Sequence, residues 1–480
     1  MIGGMLRCVV LSRFLPSTSY VALRTRRPAG FVIACAPALL ASFGCGSGAP
    51  APVGPPSTLQ DVSVVAVSAH NVRVTWTPKH DADVVIQRAP AGSDAFAEVG
   101  RKNGDHGRFL DLALAPETSY AYRLVACTDA GCEGPTAAST ITTPASEFVS
   151  VDLTVPADGT ADDYVLFGAY RIDATVMKEG HMAAVDRSGR VVWEYATHEW
   201  GPITEVQPLA DHTIATGQNM YFVQVDLDGS EVYRWAGGTA EHDIDQLNDG
   251  RFALIFFDVF DDPQGLTRVG DGIQIIDRDG VKVDWQWRAR DHIPLTDYNQ
   301  QDLSEIVPGL GHDWTHTNAI TFDETASKVY ANVRNLNRIY KIDVATGQTD
   351  WIMGDGGDFG GGLWDHCHDP QFLDDHHVLI MDNGLRRPAP QFSRVIEVQF
   401  DADAKTAQIV WEYRETPDFY SFALGGAQKQ ANGDVFVTDG INGRLLEVTP
   451  DKRKVWELKI QQYYWIYKAV PVPREFFTEW

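Results

Sequence analysis

Three short segments set histidine among acids and amides: Glu241-His242-Asp243-Ile244, Gly311-His312-Asp313-Trp314-Thr315-His316-Thr317-Asn318 and Trp364-Asp365-His366-Cys367-His368-Asp369. Arginines follow in Asn332-Val333-Arg334-Asn335 and in Asp382-Asn383-Gly384-Leu385-Arg386-Arg387, and Tyr420-Ser421 with Gly425-Gly426-Ala427-Gln428 stands at the matching place further on. An imidazole serves as nucleophile or proton carrier near neutral pH. A guanidinium holds an anionic group, and Gly384 beside Arg386 and Arg387 allows a ligand to come close. The combination suits a small anionic substrate, which needs a local cationic pocket because the chain carries 40 Lys and Arg against 65 Asp and Glu, a net charge of −25. The same balance argues against nucleic acid or a general anionic lipid surface as partner. Metal binding is the competing reading. His312 and His316 are four apart, His366 and His368 two apart, spacings that zinc or copper accepts. Asp355, Asp358 and Asp365 lie in a Gly-rich loop and offer calcium-type oxygens. The reading adopted has no metal and no other cofactor.

Residues so scattered need a scaffold that repeats. From residue 147 onward one pattern recurs: an Asp opens a turn, a Gly follows three or four residues later, and an aromatic about four after that. Asp186-Arg187-Ser188-Gly189 leads to Trp193, Asp226-Leu227-Asp228-Gly229 to Tyr233 and Trp235, Asp277-Arg278-Asp279-Gly280 to Trp285, and Asp343 with Gly347 to Trp351. Asp401 before Trp411 and Asp451 before Trp456 are degenerate copies without the Gly. Each unit supplies several antiparallel strands and a tight hairpin, and radial packing lets each sheet cover the next. Six aromatic turns imply a six-bladed β-propeller over residues 147–480, with five or seven blades as neighbouring counts. The Trp residues are expected to pack between blades. Ligands of such a ring bind near its central channel, where loops of several blades converge. The segments quoted above occupy equivalent blade positions there.

The first 45 residues read as an export signal. Arg24, Arg26 and Arg27 flank the apolar run Phe31 to Phe43, too short to span a bilayer. The run ends at Ser42-Phe43-Gly44-Cys45 and a Gly/Pro/Ser linker follows over 46–56, a layout that resembles a bacterial lipoprotein signal with Cys45 as the lipidated residue; a cleaved signal with a passive Cys45 is the alternative. Export to an oxidising compartment suits a hairpin disulfide between Cys127 and Cys132 across Thr128-Asp129-Ala130-Gly131. Residues 57–146 alternate as strands in Val72-Arg73-Val74-Thr75-Trp76 and Val84-Val85-Ile86-Gln87-Arg88. They then turn at Leu114-Ala115-Pro116-Glu117-Thr118-Ser119-Tyr120, where Tyr120 is expected to reach back to the corner. With Trp76 in the core position, this segment resembles a fibronectin type III β-sandwich. That resemblance implies a spacer or a module contacting another protein or glycan.

The propeller segments resemble the bacterial arylsulfotransferase family over roughly residues 160 to 470. The likeness rests on the Asp-Trp-Thr-His-Thr-Asn run, Val-Arg-Asn-Leu-Asn with Trp351-Ile352-Met353-Gly354 after it, Cys-His-Asp with Asp382-Asn383-Gly384, and Gly-Gly-Ala-Gln with Asn432-Gly433. It implies transfer of a sulfuryl group from a phenolic sulfate to a phenol acceptor through a sulfated histidine, without a nucleotide donor. By position it implies His316 and His368 as active-site histidines, Arg334 and Arg387 as catalytic cations, and His242, Arg386 and Asn383 as substrate-binding. One departure stands out. The best-studied branch carries its nucleophilic histidine late in the chain, and here no histidine follows His377. An earlier histidine such as His368 or His242 then takes that part. The alternatives are a different transferase or a non-catalytic surface-binding propeller.

Overall fold

The computed structural model describes residues 55–146, 148, 151–173, 176–235, 237–277, 282–460 and 464–480. The segment expected to be an export signal, with Cys45 as its expected lipidation site, and most of the linker lie outside these residues, as do residues 278–281. The described chain is all-β, with only short helices at Ala289–His292, Gln300–Leu303 and Glu475–Thr478. No helix among the described residues is long and apolar enough to cross a membrane.

Residues 59–143 form two antiparallel sheets packed face to face. One holds Ser63–Ala66, Val72–Thr75 and Arg108–Asp111; the other holds Ala97–Asn103, Asp83–Pro90, Ser119–Thr128, Gly131–Cys132 and Ser139–Thr142. Their alternating inward residues, Val72, Val74, Trp76, Ile86, Tyr122 and Leu124, make one core. The Ala115 amide donates to the Tyr120 hydroxyl oxygen over 3.0 Å, closing the corner, and Cys127 is disulfide-bonded to Cys132. The sandwich docks on the remainder of the chain. Asn71 Nδ2 donates to Val192 O (2.9 Å), Arg73 pairs with Asp228 (2.6 Å), and Lys102 Nζ donates to the Trp480 carbonyl oxygen (2.8 Å).

Beyond it the described residues form six sheets of four to six strands, antiparallel apart from one parallel pair in the third, here numbered I to VI in chain order. Sheet I contains Tyr164–Asp173, Val176–Val185 and Val191–Trp200, and its innermost strand is Tyr464–Val472 from the far end of the chain. Sheets II to VI begin with the innermost strands Gln207–Pro208, Glu241–Gln246, Thr317–Asp323, His368–Asp374 and Gly426–Lys429. Sheet VI gains an outer strand, Val151–Val155, beside Lys454–Ile460. Six apolar clusters fill the six interfaces between successive sheets, and the last, with Phe167 and Val185 against Phe436 and Leu458, joins VI to I.

The recurring tryptophans pack there, as expected from their spacing, and also bond across. Trp193 Nε1 donates to Leu227 O (2.7 Å), Trp411 Nε1 to Pro450 O (2.8 Å) and Trp456 Nε1 to Arg187 O (3.0 Å). In each case the acceptor lies in the equivalent turn of the next sheet. The Asp–Gly spacing serves that turn: Gly189 and Gly229 adopt the left-handed φ of +84° and +82° that closes it.

At the centre, Lys468 on the innermost strand of sheet I reaches Glu205 before sheet II (2.9 Å), Asp243 of sheet III (3.3 Å) and Asp369 of sheet V (3.3 Å). Burial works against its charge, yet Asp243, Asp369 and Glu205 hold its ammonium above the ordinary lysine range, and burial with Asp243 nearby pushes the Glu205 carboxyl up. Gly426 of sheet VI is a packing requirement here, since a Cβ would collide with the Asp369 carboxylate. Replacing Lys468 by Met strands these acids without a cation. A loss of about 3–5 kcal/mol of stability is expected, read as a lowered urea midpoint; an unchanged midpoint would show that the ring does not depend on this centre.

Candidate active site

The histidines gather where the innermost strands of sheets III, IV and V begin. His242 is the second residue of Glu241–Gln246, His316 immediately precedes Thr317–Asp323, and His368 opens His368–Asp374. Arg334 starts a single 3₁₀ turn, Arg334–Leu336, after the second strand of sheet IV. His242, His316 and His366 hold left-handed backbone, with φ of 60°, 49° and 55°. Residues with a Cβ rarely occupy that region, and such conformations persist only where the surrounding structure fixes them.

His316 Nδ1 donates to Asp313 Oδ2 over 2.6 Å, so its Nε2 is turned toward the channel. Asp313 stays ionised: burial opposes its charge, but His316 and the Arg334 guanidinium hold its carboxyl below the usual range. His316 Nε2 lies 3.1 Å from His242 Nε2, the two rings meeting edge to face. Burial, with the Arg334 guanidinium nearby and His316 and His368 disfavouring a further charge beside them, drives the His242 imidazole far below its ordinary pKa and keeps it neutral. An Asp–His–His chain of this kind passes one proton along its nitrogens and leaves one imidazole lone pair available for attack.

Arg334 is buried, at 5% exposure. Its Nη1 donates to Asn335 Oδ1 (2.7 Å), its Nε has no partner, and among the described residues it pairs with no carboxylate. A buried guanidinium with no carboxylate in direct contact is costly. In a chain of net charge −25 such a cation is a group that can take an anion.

The tautomer of His368 follows from its partners. Asn383 Nδ2 donates to the carbonyls of Ser421 (2.8 Å) and Leu424 (3.0 Å), so Asn383 Oδ1 accepts from His368 Nδ1 at 2.8 Å. His368 Nε2 then accepts from the Leu424 amide at 3.2 Å. Burial and Arg334 push its pKa far down, and both nitrogens of this neutral ring are committed to holding the segment before sheet VI. Asn383 sits behind His368 in the same way.

Arg386 and Arg387 are not brought to the histidine pair as free cations. Arg386 binds Asp302 (2.6 Å) and Glu305, and Arg387 binds Asp382 (2.6 Å) and stacks on Phe392. Asp302 also takes His366 Nε2 at 2.8 Å, while Asp365 takes its Nδ1. Burial opposes a charge on His366, but these two carboxylates outweigh it and raise its pKa. This network pins a segment over residues 289–313 that sheet III inserts after its fourth strand. Asn299 caps the short helix there by accepting from the amides of Gln301 and Asp302, and Gly311–Asp313 pairs in parallel with Thr267–Ile276.

Under this insertion lies a cavity of about 270 Å³, walled mostly by apolar groups including Tyr170, Met220, Phe257, Val307, Leu310 and Tyr467, with Glu241 and His242 in its lining. Its size and character fit one aromatic ring. Among the described residues no group of three or more His, Cys, Asp or Glu is placed to hold a metal ion. His312 Nδ1 is bonded to Leu303 O, and Asp355 and Asp358 accept backbone amides of their own loop.

Sequence reasoning missed Glu241, Asp313 and the insertion. Asp313 stood in a quoted run without a role, although its spacing of three from His316 is the available signal. The protonation states are checked by ¹⁵N-resolved NMR of the imidazoles. His366 is expected to keep both ring protons at pH 7, and His368 to carry one, on Nδ1. A doubly protonated His368 at that pH would contradict the arrangement.

Among solved structures, a protein of unknown function from Bacteroides caccae is similar at 12% identity, covering 65% of this chain and 99% of its own, with a TM-score of 0.42. A periplasmic gluconolactonase of Pseudomonas aeruginosa is similar at 9% identity, covering 65% and 99%, with a TM-score of 0.38. A fibronectin type III domain of human contactin 1 is similar at 21% identity, covering 22% and 95%, with a TM-score of 0.19. No curated protein matches the chain. The family profile described as Arylsulfotransferase (ASST) matches residues 156–468, and the chain belongs to that family.

Proposed function

We propose that the protein is an aryl sulfotransferase that moves a sulfuryl group from a phenolic sulfate ester to a phenol through a histidine. Family membership supports the reaction class, and the observation that carries the assignment of the site is the buried guanidinium of Arg334, paired with no carboxylate, beside the abutting rings of His242 and His316. His316 is the nucleophile. Asp313 holds its Nδ1 proton, and the Nε2 lone pair attacks sulfur while the bond to the aryl oxygen breaks. Arg334 takes the sulfuryl oxygens where negative charge is spread in the transition state. His242, between His316 and the aromatic cavity, carries the phenolic proton. A phenol acceptor then enters the same cavity and takes the group from His316. His368 and Asn383 hold the frame, and Arg386 and Arg387 brace the insertion.

The ring of six sheets is read as a six-bladed propeller, supported by the cyclic order of its interfaces. Residues 57–146 are read as a fibronectin type III domain that contacts a further protein or a glycan, supported by the Tyr120 corner and the Trp76 core. Export and tethering through Cys45 rest on the signal-like first 45 residues.

The test is a transfer assay with a chromogenic aryl sulfate and a phenol acceptor, with and without EDTA. Acceptor-dependent release that survives EDTA is expected. His316→Ala should fall to background, and Arg334→Ala should lose on the order of 10²–10³ in kcat, while Arg387→Ala lowers stability and keeps turnover. Full activity in both His316→Ala and Arg334→Ala would remove the site. No release from folded wild-type protein would favour a binding propeller.

A further inference from the structure

Glu241 has no part in the steps above, yet it is the most anomalous side chain near them. It is 5% exposed, it lines the aromatic cavity, and its Oε1 has no hydrogen-bond partner. Its Oε2 lies 3.3 Å from His242 Nδ1, on the side of the ring opposite the nitrogen that faces His316. The two atoms are within reach but misaligned, and His242 Nδ1 is likewise without a hydrogen-bond partner. Catalytic hydrogen bonds in empty sites are often loose in this way and tighten with substrate. Burial, together with Asp271 and Asp313, pushes the Glu241 carboxyl well above its ordinary range, which favours the protonated form.

We propose that Glu241 is the proton reservoir of the transfer reaction, acting through His242; this rests on the sulfuryl-transfer reading given above. In the first half-reaction the His316 Nε2 lone pair forms the N–S bond and the S–O(aryl) bond breaks. The departing aryl oxide takes the proton from His242 Nε2 while the Glu241 carboxyl passes its proton to His242 Nδ1. The products are a phenol, a sulfated His316, the opposite tautomer of neutral His242 and a Glu241 carboxylate. That tautomer presents a free Nε2 lone pair, the base the second half-reaction needs. The acceptor phenol gives its proton to His242 Nε2 as its oxygen bonds sulfur and the N–S bond breaks, and the Nδ1 proton returns to Glu241. Both groups end as they began. Glu241 is thus a positioning and relay residue, felt in the first half-reaction only when the leaving oxide needs a proton, and in the second whenever the acceptor phenol must lose one.

The test compares full-length wild type and Glu241→Gln on two donors, 4-nitrophenyl sulfate, whose oxide leaves readily, and phenyl sulfate, whose oxide does not. Glutamine keeps the size and polarity and can donate to His242 Nδ1, but cannot surrender a proton. In single-turnover release of the leaving phenol, before an acceptor is added, the variant is expected to keep the rate with 4-nitrophenyl sulfate within about threefold and to lose on the order of 10²-fold with phenyl sulfate. Retained single-turnover release from the first donor is also the control for folding. Equal losses on both donors would reduce Glu241 to a structural role and overturn the proposal. A series of aryl sulfates on the wild type gives a second measurement that needs no variant: a shallow dependence of rate on the acidity of the leaving phenol is expected, and a steep one overturns the relay. Absence of any transfer by the wild type would instead fail the underlying reading.

Discussion

A single ammonium group organises the middle of this protein. Lys468 stands at the axis with Glu205, Asp243 and Asp369 around it, so four of the six sheets meet at one charge. Buried carboxylates without such a partner would repel one another and seek water. The ring therefore has one arrangement of its inner strands in which the acids are compensated. The histidines occupy the residues next to these acids, His242 beside Asp243 and His368 beside Asp369, so the geometry that fixes the centre fixes the site as well.

Charge in this chain is sorted by depth. The molecule is acidic as a whole, and its interior cations divide into two kinds. Arg386, Arg387 and His366 are matched by carboxylates and serve to hold the insertion over the channel. Arg334 forms no ion pair with a carboxylate among the described residues, Asp313 acting on it only at longer range, and it tilts the local potential positive, which helps keep His242 and His368 neutral. A neutral imidazole has a lone pair to offer, whereas a protonated one has none. The same guanidinium that would receive the sulfuryl oxygens thus keeps the neighbouring rings uncharged.

Much of this was legible in the amino-acid sequence because it is written locally. The Asp–Gly turn and the aromatic that follows are close neighbours in the chain, and they mark the hairpins from which the sheets are built. Tyr120 closes a corner only five residues away. His242, His316 and His368 were found because they fall at equivalent points of a repeat. What escaped was whatever depends on partners distant in the chain. Arg386 looks like a free cation until Asp302, 84 residues earlier, is folded against it. Glu241 looks like one acid among many until its surroundings remove water from it, and Lys468 like any lysine until three carboxylates enclose it. The cross-sheet bonds of the tryptophans were hidden for the same reason, although their packing was expected.

Sheet I is assembled from two pieces of chain, with Tyr164 paired to Val472. Nothing else supplies its innermost strand. Until that strand arrives, the inner edge of Tyr164–Asp173 is an open row of amides and carbonyls, and the axis lacks its lysine. Ring closure is therefore a non-local event of the kind that forms late in folding, and until it occurs Glu205, Asp243 and Asp369 are without their cation. A nascent chain in that state is both sticky at one edge and self-repelling at its centre. The second property guards against the first, because an interior that cannot collapse early leaves the edge unoccupied for the strand that belongs there.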